Sequence, residues 1–482
     1  MNPNSLEELR GILGPYGLIC SSEELRTYEC DGLTNFRVIP SAVVLPDSAE
    51  QVQAVVRVCH RERIPFVARG SGTGLSGGAL PVTGGIVICL ARMKRILEVD
   101  LANARVVVEP GVINLDVTGR VASANFFYAP DPSSQSVCSI GGNVAENSGG
   151  AHCLKYGFTV HHVVGVEAVL PNGDLVHLGG KALDPPGYDM LAPLVGSEGT
   201  LAIVTKAILR ILRRPEAVVT LLAGFESIDA AGGAVSAMIG SGIVPAAVEM
   251  MDRLTIEAAE AAVHPGFPNT NAVLIVELDG PRIEVDELFT IVESICAREG
   301  ATTIEIARDE AARLRIWKGR KAAFAAMGRV SPNYYVQDGV VPRTKLPEVL
   351  RRIRDLETRS GLRIGNVFHA GDGNLHPLIC YDESIAGQAE HAEAVAAEIL
   401  QYCIDAGGSI TGEHGVGADE KAYMPKMFGE HDLDAMQRLR CAFDPDGLCN
   451  PGKVFPTPRL CGEVPGPYRQ HPIERAGLAE RF

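Results

Sequence analysis

No two of the twelve cysteines stand as a Cys-x-x-Cys pair. An iron–sulfur cluster or zinc ribbon is therefore not expected within the chain, and reduced, mostly buried thiols are. No apolar run approaches the roughly 18–20 residues needed to span a bilayer. The opening MNPNSLEELRGIL lacks a basic stretch followed by an apolar core, so no secretory signal is expected. Positive charge is scarce. The chain has 44 Lys and Arg against 59 Asp and Glu, a net charge of −15, which argues against nucleic acid or an anionic membrane as the main partner. Internal repeats, low-complexity tracts and long linkers are also missing. What is left is a globular, cytoplasmic protein. Its 46% hydrophobic and 21% charged residues fit that class rather than a disordered one, and 482 residues predict two or three domains.

Residues 1–35 read as a helical lead-in. Ser41–Leu45 reads as a buried strand, and a helix follows to about His60, with Ser48 as its cap and Gln51 three residues on. Further strands are expected at 64–68, 85–90 and 105–109, in an α+β domain rich in glycine turns that reaches to about 215. Beyond 216 glycine thins out. Strands at 217–222 and 272–277 lie among helices near 227–241, 284–299, 307–326, 345–360 and 387–406. That alternation predicts a sheet covered by helices on one face. A short segment from about 440 contains Asn450-Pro-Gly-Lys453.

The segment Asn366-Val-Phe-His-Ala-Gly-Asp-Gly-Asn-Leu-His-Pro377 places two imidazoles around a turn. If Gly371–Asn374 is a four-residue hairpin loop, His369 faces His376 with Cβ atoms about 4.5–5.5 Å apart. Two imidazoles so close can share a divalent metal, and Glu413 is a candidate third ligand. A histidine pair on a hairpin can equally be packing or surface. Glu413-His414 sits in Thr411-Gly-Glu-His-Gly-Val-Gly417, a glycine-rich turn that can aim both side chains inward.

Gly70-Ser-Gly-Thr-Gly-Leu-Ser-Gly77 contains Gly-x-Gly-x-x-Gly, the dinucleotide fingerprint as a bare pattern. A Rossmann reading would need a helix to open there, but Leu80-Pro-Val-Thr-Gly-Gly85 leads to another strand. The loop still suits phosphate, because its glycines expose backbone N–H groups beside hydroxyls. Pro130–Gln135, Ser139–Gly150 and Gly196–Val204 share its texture and can line a long groove for a large dinucleotide.

RGSGTGLSGG, PDPSSQ, SIGGNVAENSGGAHCLKYG, GSEGTLAIVT, FHAGDGNLHP and TGEHGVG occur in this order over nearly the whole chain. Together they resemble the FAD-linked 2-hydroxy-acid dehydrogenases of the vanillyl-alcohol oxidase type. The glycolate oxidase flavin-subunit branch is nearest, through Trp317–Phe324 and Asn333–Pro342. The resemblance implies an α+β fold: a two-part FAD-binding domain over 1–215, an α+β cap domain with an antiparallel sheet over 216–440, and a segment 441–482 returning to the FAD domain. It implies that Arg69, Gly70, Ser71, Gly72, Thr73, Gly74, Leu75 and Ser76 hold the pyrophosphate. Pro130, Asp131, Ser133, Ser134, Gly141, Gly142, Asn143, Asn147, Ser148 and Gly149 would run along the flavin and ribityl chain. Glu198, Gly199 and Ile203 would approach the adenine side, and Asn450 and Lys453 would close over the ring. Because the loop after Arg69 holds no His, the FAD is expected to be non-covalent.

The same resemblance implies that His369, His376 and Glu413 bind a divalent metal, Zn or Mn. It makes His414 the general base on the substrate's 2-hydroxyl, Arg320 the fork for its carboxylate, and Asn374 a substrate contact or hairpin brace. Hydride would pass to the flavin. Phe324, Tyr334, Tyr335 and Val336 favour glycolate or D-lactate over D-2-hydroxyglutarate. An alkyl-glycerone-phosphate-synthase-type transferase is the rival on the same scaffold. Electrons would leave through a second flavin subunit and an iron–sulfur subunit at the inner membrane face, or through a quinone or soluble carrier.

Overall fold

The structure is a computed structural model that describes residues 2–182, 187–307 and 309–456. The expected returning segment therefore lies outside the described residues from 457 onward. Near the N-terminus β1 (Leu18–Ile19), β2 (Ala42–Val44), β3 (Phe66–Arg69) and β4 (Ile86–Cys89) form one sheet in the order β1-β2-β4-β3. The β2–β4 and β3–β4 pairs are parallel, with the helix Ala49–Glu62 as the crossover. Ser48 caps that helix by accepting from the Gln51 amide.

The next strands are β5 (Ile96–Asp100), β6 (Arg105–Val108), β7 (Phe126–Phe127), β8 (Val163–Val169), β9 (Leu175–Gly179), β10 (Ile203–Arg210) and β11 (Leu212–Arg213). Five of them make an antiparallel sheet in the order β5-β6-β10-β8-β9, and β7 pairs with β11. The cores of these two sheets meet through Val169 and Ile203. The chain returns at Leu448–Asn450, where the Phe66 amide donates to Leu448 O and the Asn450 amide to Phe66 O.

The third sheet holds β12 (Ala217–Phe225), β13 (Ala247–Asp252), β14 (Ala272–Gly280), β15 (Ala301–Ala307), β16 (Asn333–Val336), β17 (Ile364–His369) and β18 (Pro377–Tyr381). It is antiparallel throughout, in the order β15-β12-β14-β13-β17-β18-β16. Helices cover both faces, not one as the alternation predicted. Helices Ile228–Gly240, Arg282–Arg298, Leu346–Ser360 and Gln388–Asp405 pack on one side. Arg253–Val263 and Glu310–Ala326 pack on the other, against Ala247, Met251 and Val367. The sequence reading passed over Arg253–Val263, although Asp252 caps it through the Thr255 amide. Residues 140–146, read as glycine-rich groove lining, form a short helix capped by Ser139.

Among the described residues ten cysteines are free thiols. Cys441 is disulfide-bonded, against the expectation of reduced thiols. Among the described residues no helix is long and apolar enough to cross a membrane.

Candidate active site

Strand register puts the first charges together. In β13 and β17 Glu249 lies directly opposite His369, on the face that carries the helix Glu310–Ala326. The hairpin register differs from the expected one. Ile364 pairs with Ile379 and Asn366 with Pro377, so the loop is Ala370–Gly373 and His369 faces Asn374. Gly373, at φ +81°, supplies the left-handed residue of that loop. His376 is thus a diagonal neighbour of His369 on the same face, and the two rings still meet edge-on at 5.2 Å.

The Nε2 atoms of both imidazoles lie 3.2 Å from Glu413 Oε1. Their Nδ1 atoms are held from behind: His369 by Glu249 Oε1 at 2.7 Å, and His376 by the Gln337 carbonyl at 3.4 Å. His414 stacks on His376 at 5.1 Å. His369, His376 and Glu413 offer ligand atoms within 4.8 Å of one another. Imidazole and carboxylate donors with fixed outer nitrogens suit Zn or Mn. Asp338, His376 and His414 form a second, overlapping group.

Asp338 makes the turn aim inward. Its Oδ2 accepts from Thr411 Oγ1 at 2.6 Å and from the amides of Gly412, Glu413 and His414 at 2.7–2.8 Å. Three successive amides on one buried oxygen fix the backbone, so Glu413 and His414 both reach the interior. Asn374 packs beneath this turn. A Cβ on Gly412 would lie 2.6 Å from its amide, which makes Asn374 a brace of the turn. Arg320, 3% exposed, pairs with Glu249 Oε2 at 2.5 Å, and its Nε has no hydrogen-bond partner.

The charge states follow from this packing. Burial alone would lower the His369 pKa, but Glu249 and Glu413 outweigh it and hold it well above the ordinary value. Burial pushes Glu413 up, yet His369 and His376 bring it well below the usual carboxylate range. His414 ends below its ordinary value because its burial outweighs the pull of Asp338. A divalent cation held here would need His369 deprotonated, so its binding would release a proton.

Glu413 and His414 also form one wall of a cleft of about 440 Å³. The opposite wall is built of Arg69–Leu75, Ser133, Ser134, Gly141, Gly142, Asn143, Ser148, Glu198, Gly199 and Ile203, all expected from the sequence. Among the described residues the amides of Ser71–Gly74 donate to no other backbone group. At Gly141 a Cβ would sit 2.6 Å from Pro110, so the backbone itself closes the wall. Free amides and close glycine backbone fit a dinucleotide's phosphates and ring edge, so these residues fit FAD.

Seven expected cofactor residues lie outside the cleft wall and brace it. Ser76 Oγ donates to His414 O. Pro130 O accepts from Asn114 Nδ2, Asp131 pairs with His152, and Asn147 Oδ1 accepts from the Val160 amide. Gly149 abuts Glu413 and Phe158. Asn450 Nδ2 donates to Gly78 O and Glu198 O, and buried Lys453 to Leu80 O and Asn450 Oδ1. Glu198 accepts from the Val416 and Gly417 amides, which places it beside the turn that carries His414. Cleft residues without an individual role in the sequence reading include Glu146, Ser139 and Lys321. Phe324, Tyr334 and Val336 line the cleft as well, whereas Tyr335 turns away to Asp419.

Residues 40–179 match the family described as "FAD binding domain", and residues 214–454 match "FAD linked oxidases, C-terminal domain". The chain is 48% identical over 455 residues to glycolate oxidase subunit GlcD of Escherichia coli (strain K12), covering 94% of this chain and 91% of that one. It is 30% identical over 465 residues to the D-lactate dehydrogenase of Anaerostipes hadrus, covering 94% and 98%. Its fold matches that of the 4-ethylphenol oxidase from Gulosibacter chungangensis with a TM-score of 0.78 at 20% identity, covering 94% of this chain and 97% of that one. The chain therefore belongs to the FAD-linked oxidases and is an FAD-linked oxidoreductase with the fold of the vanillyl-alcohol oxidase group.

Proposed function

We propose that this chain oxidises a small 2-hydroxy acid, glycolate or D-lactate, to the 2-oxo acid. One observation carries the reading: Glu413 and His414, backed by His369 and His376, face a glycine-walled cleft suited to FAD. The relatives named for glycolate and D-lactate support the same class. The chain divides into an FAD-binding domain over 1–215, a cap over 216–440 and a returning segment from 441.

Bound FAD would take the hydride from the substrate's Cα, and a divalent ion held by His369, His376 and Glu413 would acidify the 2-hydroxyl. His414, kept neutral by burial, takes the hydroxyl proton. Arg320 has a buried, unpartnered Nε to offer a carboxylate, while its Nη2 pairs with Glu249 Oε2. Phe324 packs edge-on against His376 at 5.7 Å, and with Tyr334 and Val336 it gives the cleft an apolar end beside the imidazoles. That end suits a hydrogen or a methyl on the substrate's Cα better than a chain that carries a second carboxylate. Electrons would then pass to partner subunits, a quinone or a soluble carrier, with any membrane contact made peripherally.

Anaerobic flavin bleaching tests the reading. Glycolate or D-lactate should reduce the bound flavin faster than D-2-hydroxyglutarate, in protein that carries about one Zn or Mn. His414→Ala should abolish bleaching while FAD stays bound. A flavin left oxidised by every 2-hydroxy acid would point instead to a non-redox transferase.

A further inference from the structure

Glu146 is the one acidic side chain in the cleft wall that nothing above employs. It ends the helix Ile140–Glu146 and lines the cleft beside Gly78, Ala145 and Glu198. Its Oε2 is shielded from solvent and has no hydrogen-bond partner. Gly415, one residue past His414, is the point of closest approach. A Cβ there would collide with Glu146 Oε2 and lie 3.0 Å from Glu198 Oε1. Two carboxyl groups thus share one dry corner. Glu198 has both oxygens satisfied by amides, at 2.6 Å each. Glu146 has none, so the proton of the pair belongs on Glu146. Burial first, and then Glu198, push its pKa well above the ordinary value.

A neutral carboxyl with an oxygen shielded from solvent carries an O–H that must reach an acceptor. Each Glu198 oxygen already accepts an amide, Glu146 Oε2 abuts Gly415, and the Glu146 side chain lines the cleft, which is the direction open to a bound acceptor. The flavin ring edge presents carbonyl and ring-nitrogen acceptors whose electron density rises on reduction. We propose that Glu146 donates a hydrogen bond from its carboxyl to the edge of the bound flavin ring and thereby favours the reduced cofactor. The inference rests on the reading that this cleft holds FAD, and it adds a residue that sets the cofactor's potential rather than one that moves a substrate proton.

The test compares Glu146→Leu, which removes the donor, with Glu146→Gln, which keeps an N–H in the same place. Each is titrated against a redox dye of known potential, and the visible spectrum of the bound flavin is recorded. In the Leu variant the reduced-to-oxidised ratio at a fixed potential should fall about tenfold, the scale of one hydrogen bond to an acceptor that gains charge. Its flavin bands should also shift. In the Gln variant the ratio should stay within about threefold of wild type. Unchanged ratio and spectrum in the Leu variant would overturn the proposal, as would a Gln variant shifted as far as Leu. If the Leu variant does not retain flavin, Glu146→Asp replaces it. Asp withdraws the donor by one methylene and should lower the ratio in the same direction, and an unchanged ratio there overturns the proposal. Wild-type protein that binds no FAD would sink the reading of the cleft, whereas bound FAD with an unmoved potential would sink only this inference.

Discussion

On one side of the cleft Ser71–Gly74 offer peptide N–H groups and no charge. On the other, His369, His376, Glu413 and His414 are fixed by buried ionic partners: Glu249 behind His369, Asp338 behind the turn, and Arg320 behind Glu249. The glycine wall is shaped by the space that missing side chains leave, so it should fail by steric addition. The histidine wall is shaped by mutual neutralisation, so it should fail by removal of a charge. The two walls should also fail separately. FAD content and metal content then become independent readouts, and a variant that lost both in equal measure would break the comparison.

Glu249→Ala should produce the largest effect. It leaves Arg320 and His369 without their shared, fully buried anion. Stripping one member from such a group costs about 3–5 kcal/mol, which urea denaturation should register. Metal should be lost and FAD retained under mild conditions. A stability change under about 1 kcal/mol would mean that water already shields this network.

Asp338→Asn comes next. An Asn carbonyl can take the place of Oδ2, but it accepts the four hydrogen bonds without the negative charge that holds them, and its NH2 replaces the Oδ1 that lies 3.6 Å from His376 Nδ1. Zn or Mn affinity should fall about 10–100-fold with FAD affinity within twofold. Equal loss of both ligands would show that the turn belongs to the glycine wall as much as to the metal site. Gly141→Ala is the converse experiment. Its added Cβ meets Pro110, and relief requires moving the short helix that carries Asn143 and Glu146. FAD affinity should drop about tenfold, the equivalent of roughly 1–3 kcal/mol for a small overpacking, while metal content stays unchanged in equilibrium dialysis.

The two walls also differ in how far the sequence disclosed them. Gly70–Gly78 and Ser139–Gly150 are local patterns, and a run of glycines between strands carries its meaning within a dozen residues. His369, His376, Glu413 and His414 were legible from spacing and resemblance, but the hairpin loop lies one residue earlier than expected, which moves the partner of His369 by two residues, from His376 to Asn374. Gly373 takes the left-handed position, and Asn374, expected in the loop, pairs with His369. Glu249 and Asp338 were not legible. Each is a single carboxylate lying 120 and 75 residues from the atom it holds, and no period or motif marks such a pairing. Glu146 escaped notice for a related reason: it sits inside a recognisable glycine pattern whose neighbours drew the assignment. Asn450 and Lys453, expected near the ring, donate to carbonyls of the loop at Gly78 and Leu80.

The smallest effect concerns the joint between the two halves of the molecule, where charge meets a glycine-rich segment. His152, from the cofactor side, donates toward Asp131 and toward Glu277 of β14 and stacks on Trp317 at 5.6 Å. Glu277 also accepts from Arg313, from Trp317 Nε1 at 2.7 Å and from Thr220 at 2.7 Å. Burial alone would lower the His152 pKa, but Asp131 and Glu277 raise it to about 10. The sign follows directly. Between the unfolded value of about 6.5 and the folded value the native state binds a proton that the unfolded chain does not, so stability falls as pH rises across that window. The contribution is fully present below the lower value and gone above the upper. His152→Gln can still hydrogen-bond to both carboxylates but carries no charge. Its stability should therefore decline less between pH 7 and 10, by an amount on the order of 1 kcal/mol in urea midpoints at the two pH values. Parallel profiles for the two proteins would mean that His152 is neutral in the folded state and that the joint is held by hydrogen bonds alone. The contrast between a wall fixed by charge and one shaped by glycine backbone would then stop at the cleft.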